Sequence, residues 1–309
     1  MNTGCSWRNW MRRQFKNTVM DLALQDERIV MILGDVSVYL FNDFQEKYPD
    51  RFYNMGISEN TLVSVGAGLA AMGFFPFVHT IAPFITERSY EQIKLDMCYN
   101  RFGGNIVSCG ASFDYAWDGA THHAYTDLAI LRLLPGMEVM QPGSTRELDV
   151  LLRSRYRSGS PTYFRLSDHP HQVDMPVEFG RGVALRDAGS AVTVMTAGPL
   201  LENVLEACRD LSVNLVYFHT LKPIDTELVR RFRDTRIVVV HDAFGLKEAV
   251  CEVPELHVTF HGMPDAFCAS YGTLHDIRRQ LGLDPAGIRE FVSGVVKRWG
   301  PHHHEGKIL

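Results

Sequence analysis

Glu59 stands in Met55-Gly-Ile-Ser-Glu-Asn60, just past a glycine and ahead of a run of small and apolar residues. A glutamate there ordinarily serves the first turn of a helix, where the dipole favours it. Buried instead, it can hold a proton or pass one to a ring nitrogen. Asp118-Gly-Ala-Thr-His-His123 forms a second polar cluster in a loop before a helix. Asp118 and Thr121 suit helix caps, and one histidine at a helix start can donate to an anionic or hydroxylated ligand. Adjacent side chains project differently, so His122 and His123 do not make a metal site as a pair. His302, His303 and His304 are followed by Glu305, but no cysteine or second histidine cluster lies at useful spacing. They read as a solvated terminus with weak metal affinity. Gly34-Asp35-Val36 lacks the glycine spacing of a phosphate loop. No resident metal is expected on this chain.

Such residues need a scaffold to bring them together. Ile29-Val-Met-Ile-Leu33 is short, apolar and rich in β-branched residues, as a buried parallel strand is. Further strands are expected over 74–80, 105–108, 138–141 and 162–166. Helices are expected over 59–72, 87–96, 126–134 and 146–156. Gly66 and Gly68 sit on the first of these helices among alanines, which implies close packing. Trp10, Phe15, Val19 and Leu22 mark one face of an N-terminal helix. Residues 168–189 break the rhythm with prolines, glycines and charges. Beyond them, strands at 191–196, 213–217 and 237–241 alternate with helices at 200–211 and 225–232. The fold class expected is α/β, with two doubly wound domains, 1–175 and 190–309, joined by a linker at 176–189.

Composition narrows the function classes. The 309 residues are 46% hydrophobic and 22% charged, which excludes a disordered chain. No apolar run is long enough to span a membrane. A net charge of −5 suggests neither a nucleic acid nor a lipid surface as partner. The six cysteines include no CxxC pair, which points to a reduced, cytoplasmic protein. Arg8, Arg12, Arg13 and Lys16 precede no apolar block with a cleavage site, so no secretory signal is expected.

Taken together and in order, the motifs resemble one family. Lys47-Tyr-Pro-Asp-Arg-Phe52, Gly56-Ile-Ser-Glu59 and Ala67-Gly-Leu-Ala70 are similar to the pyrimidine-binding domain of transketolases, and also to 1-deoxyxylulose-5-phosphate synthases. Phe84, Tyr90-Glu-Gln92, Asp118-Gly-Ala-Thr-His122, Pro135-Gly-Met137 and Pro161-Thr162 continue the match. Thr220-Leu-Lys-Pro-Ile-Asp225 and Gly262-Met-Pro-Asp-Ala-Phe267 look like the transketolase C-terminal domain. The family's diphosphate-binding domain has a GDG motif and a later asparagine that hold a divalent metal. Gly34-Asp35-Val36 does not match it. The resemblance therefore implies the small subunit of a split transketolase, with room for the pyrimidine-binding and C-terminal domains.

That resemblance carries several expectations. The cofactor is thiamine diphosphate, with Mg2+ or another divalent cation held by a diphosphate-binding N-terminal-type partner subunit in an α2β2 heterotetramer. The apolar helix 62–72 and the aromatic stretch 74–84 would lie near the subunit interface. The substrates are small sugars or keto compounds, and a two-carbon ketol unit moves from a ketose donor to an aldehyde acceptor. Glu59 would serve the pyrimidine ring nitrogen, and Phe84 would stack on that ring. Asp118 and His122 would meet the substrate, with Glu59 and His122 as the catalytic pair. In Pro161-Thr-Tyr-Phe-Arg-Leu-Ser-Asp168, an aspartate stands where the family commonly has a phosphate-clamping arginine. Asp168 would repel a phosphate dianion, leaving Arg88 or Arg165 to hold any anionic end. Arg88 is one residue out of register with a phosphate-binding arginine of the deoxyxylulose synthases. The alternatives are a deoxyxylulose-synthase-like carboligase, a 2-oxo acid dehydrogenase β-type subunit, or a non-catalytic stabilising subunit.

Overall fold

The computed structural model describes residues 10–299; the expectation for His302 to His304 lies outside them. Seven strands form the first sheet: β1 (Ile29–Leu33), β2 (Phe52–Asn54), β3 (Phe75–Ile81), β4 (Gly104–Cys109), β5 (Glu138–Met140), β6 (Pro161–Arg165) and a late arrival, β10 (Thr220–Lys222). The second sheet holds β7 (Gly182–Arg186), β8 (Val192–Ala197), β9 (Asn214–Phe218), β11 (Arg236–His241) and β12 (His257–Gly262). The strand orders are β10-β5-β6-β4-β3-β1-β2 and β12-β11-β8-β9-β7. Strands β1 to β6 run parallel, and β10 joins β5 antiparallel. In the second sheet only β7, on β9, is antiparallel.

Parallel sheets covered by helices must be apolar on both faces. Every residue of β1, β4, β6, β8 and β9 is accordingly buried. One core joins Ile32, Val78 and Ile106 to the helix Glu59–Ala71 and continues into the second domain through Val216 and Val239. The opposite face packs Phe15, Val19 and Leu22 of the helix Trp10–Ala23 over Phe41, Phe77 and Phe164. Trp10 departs from the expected stripe and is more than half exposed.

Three features correct the sequence reading. The span expected as a linker, 176–189, contains β7, so the second sheet begins inside it. Its Val-Ala-Leu core lies between Gly182 and Arg186, too short a pattern to stand out among turn residues. The helix expected over 87–96 is instead two π-helical segments, Phe84–Arg88 and Ile93–Tyr99, around the short helix Tyr90–Gln92. The aromatic stretch 74–84 is mostly interior, because β3 lies between β1 and β4.

Candidate active site

The site gathers beyond the carboxyl ends of β2, β3 and β4, which is where open parallel sheets leave room for ligands. Glu59 opens the helix Glu59–Ala71, shortly after β2. Phe84 and Arg88 sit on the π-helical turn after β3. The loop after β4 carries Asp118 to His123.

Glu59 is 1% exposed, although Arg88, its partner, is 48% exposed. Arg88 Nη1 donates to Glu59 Oε2 at 2.7 Å. The same guanidinium lies over the Phe84 ring, 4.6 Å from its centroid. On its other contact, Phe84 meets His122 at 5.0 Å between centroids, nearly perpendicular. Glu59, Phe84, Arg88 and His122 thus form one chain of side chains. The π turn makes this possible. Its i→i+5 bonding takes one more residue per turn than an α-helix, and it carries both Phe84 and Arg88 on one turn. Asn60 fastens the two elements together: its Nδ2 donates to the Arg88 carbonyl at 3.0 Å and to Gln92 Oε1 at 2.9 Å.

The loop after β4 is held by two glycines in the left-handed region. Gly110, at φ +78°, lies under the Tyr115 ring, which a β-carbon would strike at 2.5 Å. Gly119, at φ +75°, lies under Tyr271 of the second domain, at 2.6 Å. These contacts shape the turn that presents His122, whose ring also lies 6.3 Å from Tyr115. Thr121 Oγ1 and His122 Nδ1 are 2.9 Å apart, which fixes the ring and leaves Nε2 for a ligand. Asp118 is exposed beside it. His123 turns the other way, into the fold, edge-on to Phe113 at 4.9 Å. Burial lowers its pKa, so it stays neutral near pH 7.

Two expected site residues sit elsewhere. Arg165 has no exposed side-chain surface. It donates from Nε to Asp127 Oδ2 at 2.8 Å, from Nη1 to Ser112 Oγ at 3.1 Å and from Nη2 to the Ala124 carbonyl. Its donors are committed inside the fold, so it is not placed to hold a substrate anion. The expectation that it could hold an anionic end fails because Asp127, 38 residues away in sequence, already takes its charge inside the fold. Asp168 is turned inward too. Its side chain is 5% exposed and lies 3.5 Å from Arg12, and its backbone N–H donates to Asp114 Oδ2 at 2.8 Å. Burial and the neighbouring Asp114 charge push the Asp168 carboxyl up to about 6, against the pull of Arg12. It belongs to a layer behind Tyr115, with which it interacts electrostatically, rather than to the Glu59–His122 row.

Tyr115 and Tyr271 went unnoticed in the sequence, where the signal was only a glycine ahead of each contact. Arg88 was noticed, but not its bond to Glu59. Among the described residues, no three His, Cys, Asp or Glu side chains converge as a metal site.

Comparison with known proteins adds four findings. The profile described as "Transketolase, pyrimidine binding domain" matches residues 9–169. One of the subunits of the apulose-4-phosphate transketolase of Phocaeicola vulgatus is 31% identical over 308 residues, covering 93% of this chain and 97% of its own. A subunit of the 6-deoxy-6-sulfo-D-fructose transketolase of a Clostridium species is 28% identical over 312 residues, covering 94% and 95% respectively. A solved split-gene transketolase, described as an inactive beta4 tetramer, superposes with a TM-score of 0.83 at 29% identity, over 94% of this chain and 99% of its own.

Proposed function

The chain belongs to the transketolase family, and from that premise we propose that it is the pyrimidine-binding subunit of a split transketolase. Its reaction is the transfer of a two-carbon ketol unit from a ketose donor to an aldehyde acceptor. The observation that carries the proposal is Glu59: a carboxylate at 1% exposure, at a helix start, beside a half-buried aromatic ring. Glu147, the equally buried first-turn glutamate of the helix Thr145–Arg155, is held by Gly143, His171 and Tyr217 inside the fold, whereas the side-chain partner of Glu59 is the half-exposed Arg88 at the mouth of the site.

The family's cofactor is thiamine diphosphate, and the residues present fit its ring. A buried acid whose side-chain partner is removable, next to Phe84, suits a flat heterocycle that carries N–H donors. When bound, the cofactor supplies the nucleophilic carbon and the electron sink for carbon–carbon bond exchange. Glu59 would hold and return the proton at the ring nitrogen, and burial keeps that proton from water. Phe84 would fix the plane of the ring. His122, oriented by Thr121, would donate to the substrate, and Asp118 would accept from a hydroxyl near its carbonyl. Arg88 would meet an anionic end. Mg2+, or another divalent cation, and the diphosphate would be held by the partner subunit. Two copies of each chain would make the complete enzyme. No described helix is long and apolar enough to cross a membrane. The described cysteines are all free thiols, which suits a cytoplasmic complex.

The test is reconstitution. The chain alone, with thiamine diphosphate and magnesium, is expected to transfer no ketol unit. Addition of a diphosphate-binding subunit is expected to produce transfer. Turnover by the chain alone would sink the proposal, as would inactivity of the assembled pair towards every ketose tried.

A further inference from the structure

Arg88 makes two contacts at once, and both use surfaces that the functional reading reserves for the cofactor. Its Nη1 occupies Glu59 Oε2 at 2.7 Å, and its guanidinium plane occupies a face of Phe84 at 4.6 Å. A guanidinium and an aminopyrimidine share the same recognition chemistry. Each is flat, each presents N–H donors to a carboxylate, and each stacks on an aromatic face. One carboxylate oxygen and one ring face cannot serve both.

We propose that Arg88 is a displaceable cover on the pyrimidine site: it closes the Glu59–Phe84 notch in the cofactor-free chain, must leave for the cofactor to bind, and once released is the cation that meets the substrate's anionic end. The proposal rests on the functional reading above. The cover has a physical purpose. A carboxylate at 1% exposure is costly to leave unpaired, and Arg88 pairs it until the cofactor arrives. It can also move. Its carbonyl is tied to Asn60, so the backbone stays in place, while its side chain is 48% exposed and hinges into solvent on its own stem. The released charge then remains at the mouth of the same site. Binding of cofactor and binding of an anionic substrate are thereby linked through one side chain, since each is easier when Arg88 is off Glu59.

The experiment is equilibrium titration of thiamine diphosphate into the magnesium-loaded complex of this chain and its diphosphate-binding partner, followed by calorimetry and by the quenching of tryptophan fluorescence. Wild type, Arg88→Ala and Arg88→Lys are compared, with circular dichroism as the fold check. Arg88→Ala is expected to bind the cofactor about ten-fold more tightly, because two weak contacts no longer compete. Arg88→Lys, which keeps the charge but loses the flat fork, should fall between. The ratio of KM for a phosphorylated acceptor to KM for a matched neutral acceptor should rise in Arg88→Ala, and an unchanged ratio overturns the anion-meeting part of the proposal. Unchanged or weakened cofactor binding in Arg88→Ala, with normal binding in wild type, overturns the cover and leaves the functional reading standing. Absence of cofactor binding in every form, wild type included, removes the functional reading and the cover with it.

Discussion

A carboxylate can pass a proton to one ring atom in preference to solvent only where solvent is kept out, and Glu59 meets that condition at 1% exposure. Glu59→Gln keeps the shape and loses the exchangeable proton. In the reconstituted complex, exchange of the reactive cofactor proton, followed by NMR, is expected to fall by about 10²–10⁴-fold. The ion pair it breaks is half open to water, so stability should change by less than about 1 kcal/mol. Wild-type exchange in the variant would reduce Glu59 to a helix-start residue. Asp168 titrates in the opposite sense from a salt-bridged acid. Its pKa is raised, from an ordinary value near 3.8 to about 6. The folded state therefore holds the proton more tightly than the unfolded one. The stability this gives is full below about pH 4 and is lost as pH rises through 6. Asp168→Asn removes the titration, so its stability relative to wild type should climb by about 2–3 kcal/mol between pH 4 and pH 7. Urea melts at each pH measure this, and a difference independent of pH would return Asp168 to an ordinary carboxylate. The motifs shared with transketolases singled out Glu59, Phe84, Arg88 and His122, which residue type and spacing alone left as a helix-start acid and scattered side chains. They could not reveal the inward turn of Asp168 or Arg165, because Arg12, Asp114 and Asp127 come from distant segments and only the tertiary fold sets them alongside.

Elements with a strong period were legible, and those without one were not. The apolar runs of β1, β4 and β6 and the small-residue helix Glu59–Ala71 fall within a residue or so of their expected ends. The π-helical segments were read as a plain helix, since a widened turn leaves the apolar pattern almost unchanged while moving every later side chain. Strands β2, β7, β10 and β12 were missed; unlike the equally short β5, β7 and β10 lie among turn formers, and β2 and β12 are not wholly buried and carry no continuous apolar run. The helix Glu59–Ala71 also separates two glycines that the sequence treated alike. A β-carbon on Gly66 would come within 2.7 Å of Val78 Cγ2, whereas one on Gly68 would meet nothing within 4 Å. Gly66→Ala is therefore expected to cost about 1–3 kcal/mol through overpacking. Gly68→Ala should add up to about 1 kcal/mol by removing backbone freedom from the unfolded chain. Thermal melts of the isolated chain distinguish the two. Equal effects would mean that the helix does not press on Val78 of β3 at Gly66.

The two domains are locked by buried charge. Ser112 Oγ donates to Asp242 Oδ1 at 2.7 Å, and Arg278 Nη2 to Asp242 Oδ2 at 3.0 Å, continuing the Arg165–Asp127 pair across the domain boundary. Burial alone would raise the Asp242 carboxyl, but Arg278, His241 and Arg165 hold it at about 2. A second group, Glu147 with His171 and Tyr217, does the same on the other side. Ile57, Met72 and Tyr99 are 72%, 67% and 79% exposed around the ends of the helix Glu59–Ala71 and its π-helical neighbour. Ile57 and Met72 flank opposite ends of a 13-residue helix, so these are separate exposed side chains and not one patch, and the heterotetramer rests on the proposed function alone. Light scattering of the mixed subunits should find a species with two copies of each, and an active one-to-one pair would contradict it. Strand β10 has a consequence for any attempt to divide the molecule. It leaves the second domain to cap β5, and Lys222 Nζ donates to the Arg132 carbonyl at 2.8 Å as it does so. A fragment of residues 1–175 would therefore carry a bare row of amides along β5, a template on which a foreign strand can grow. It should precipitate or self-associate, whereas the whole chain should melt in one transition, with calorimetric and van't Hoff enthalpies that agree.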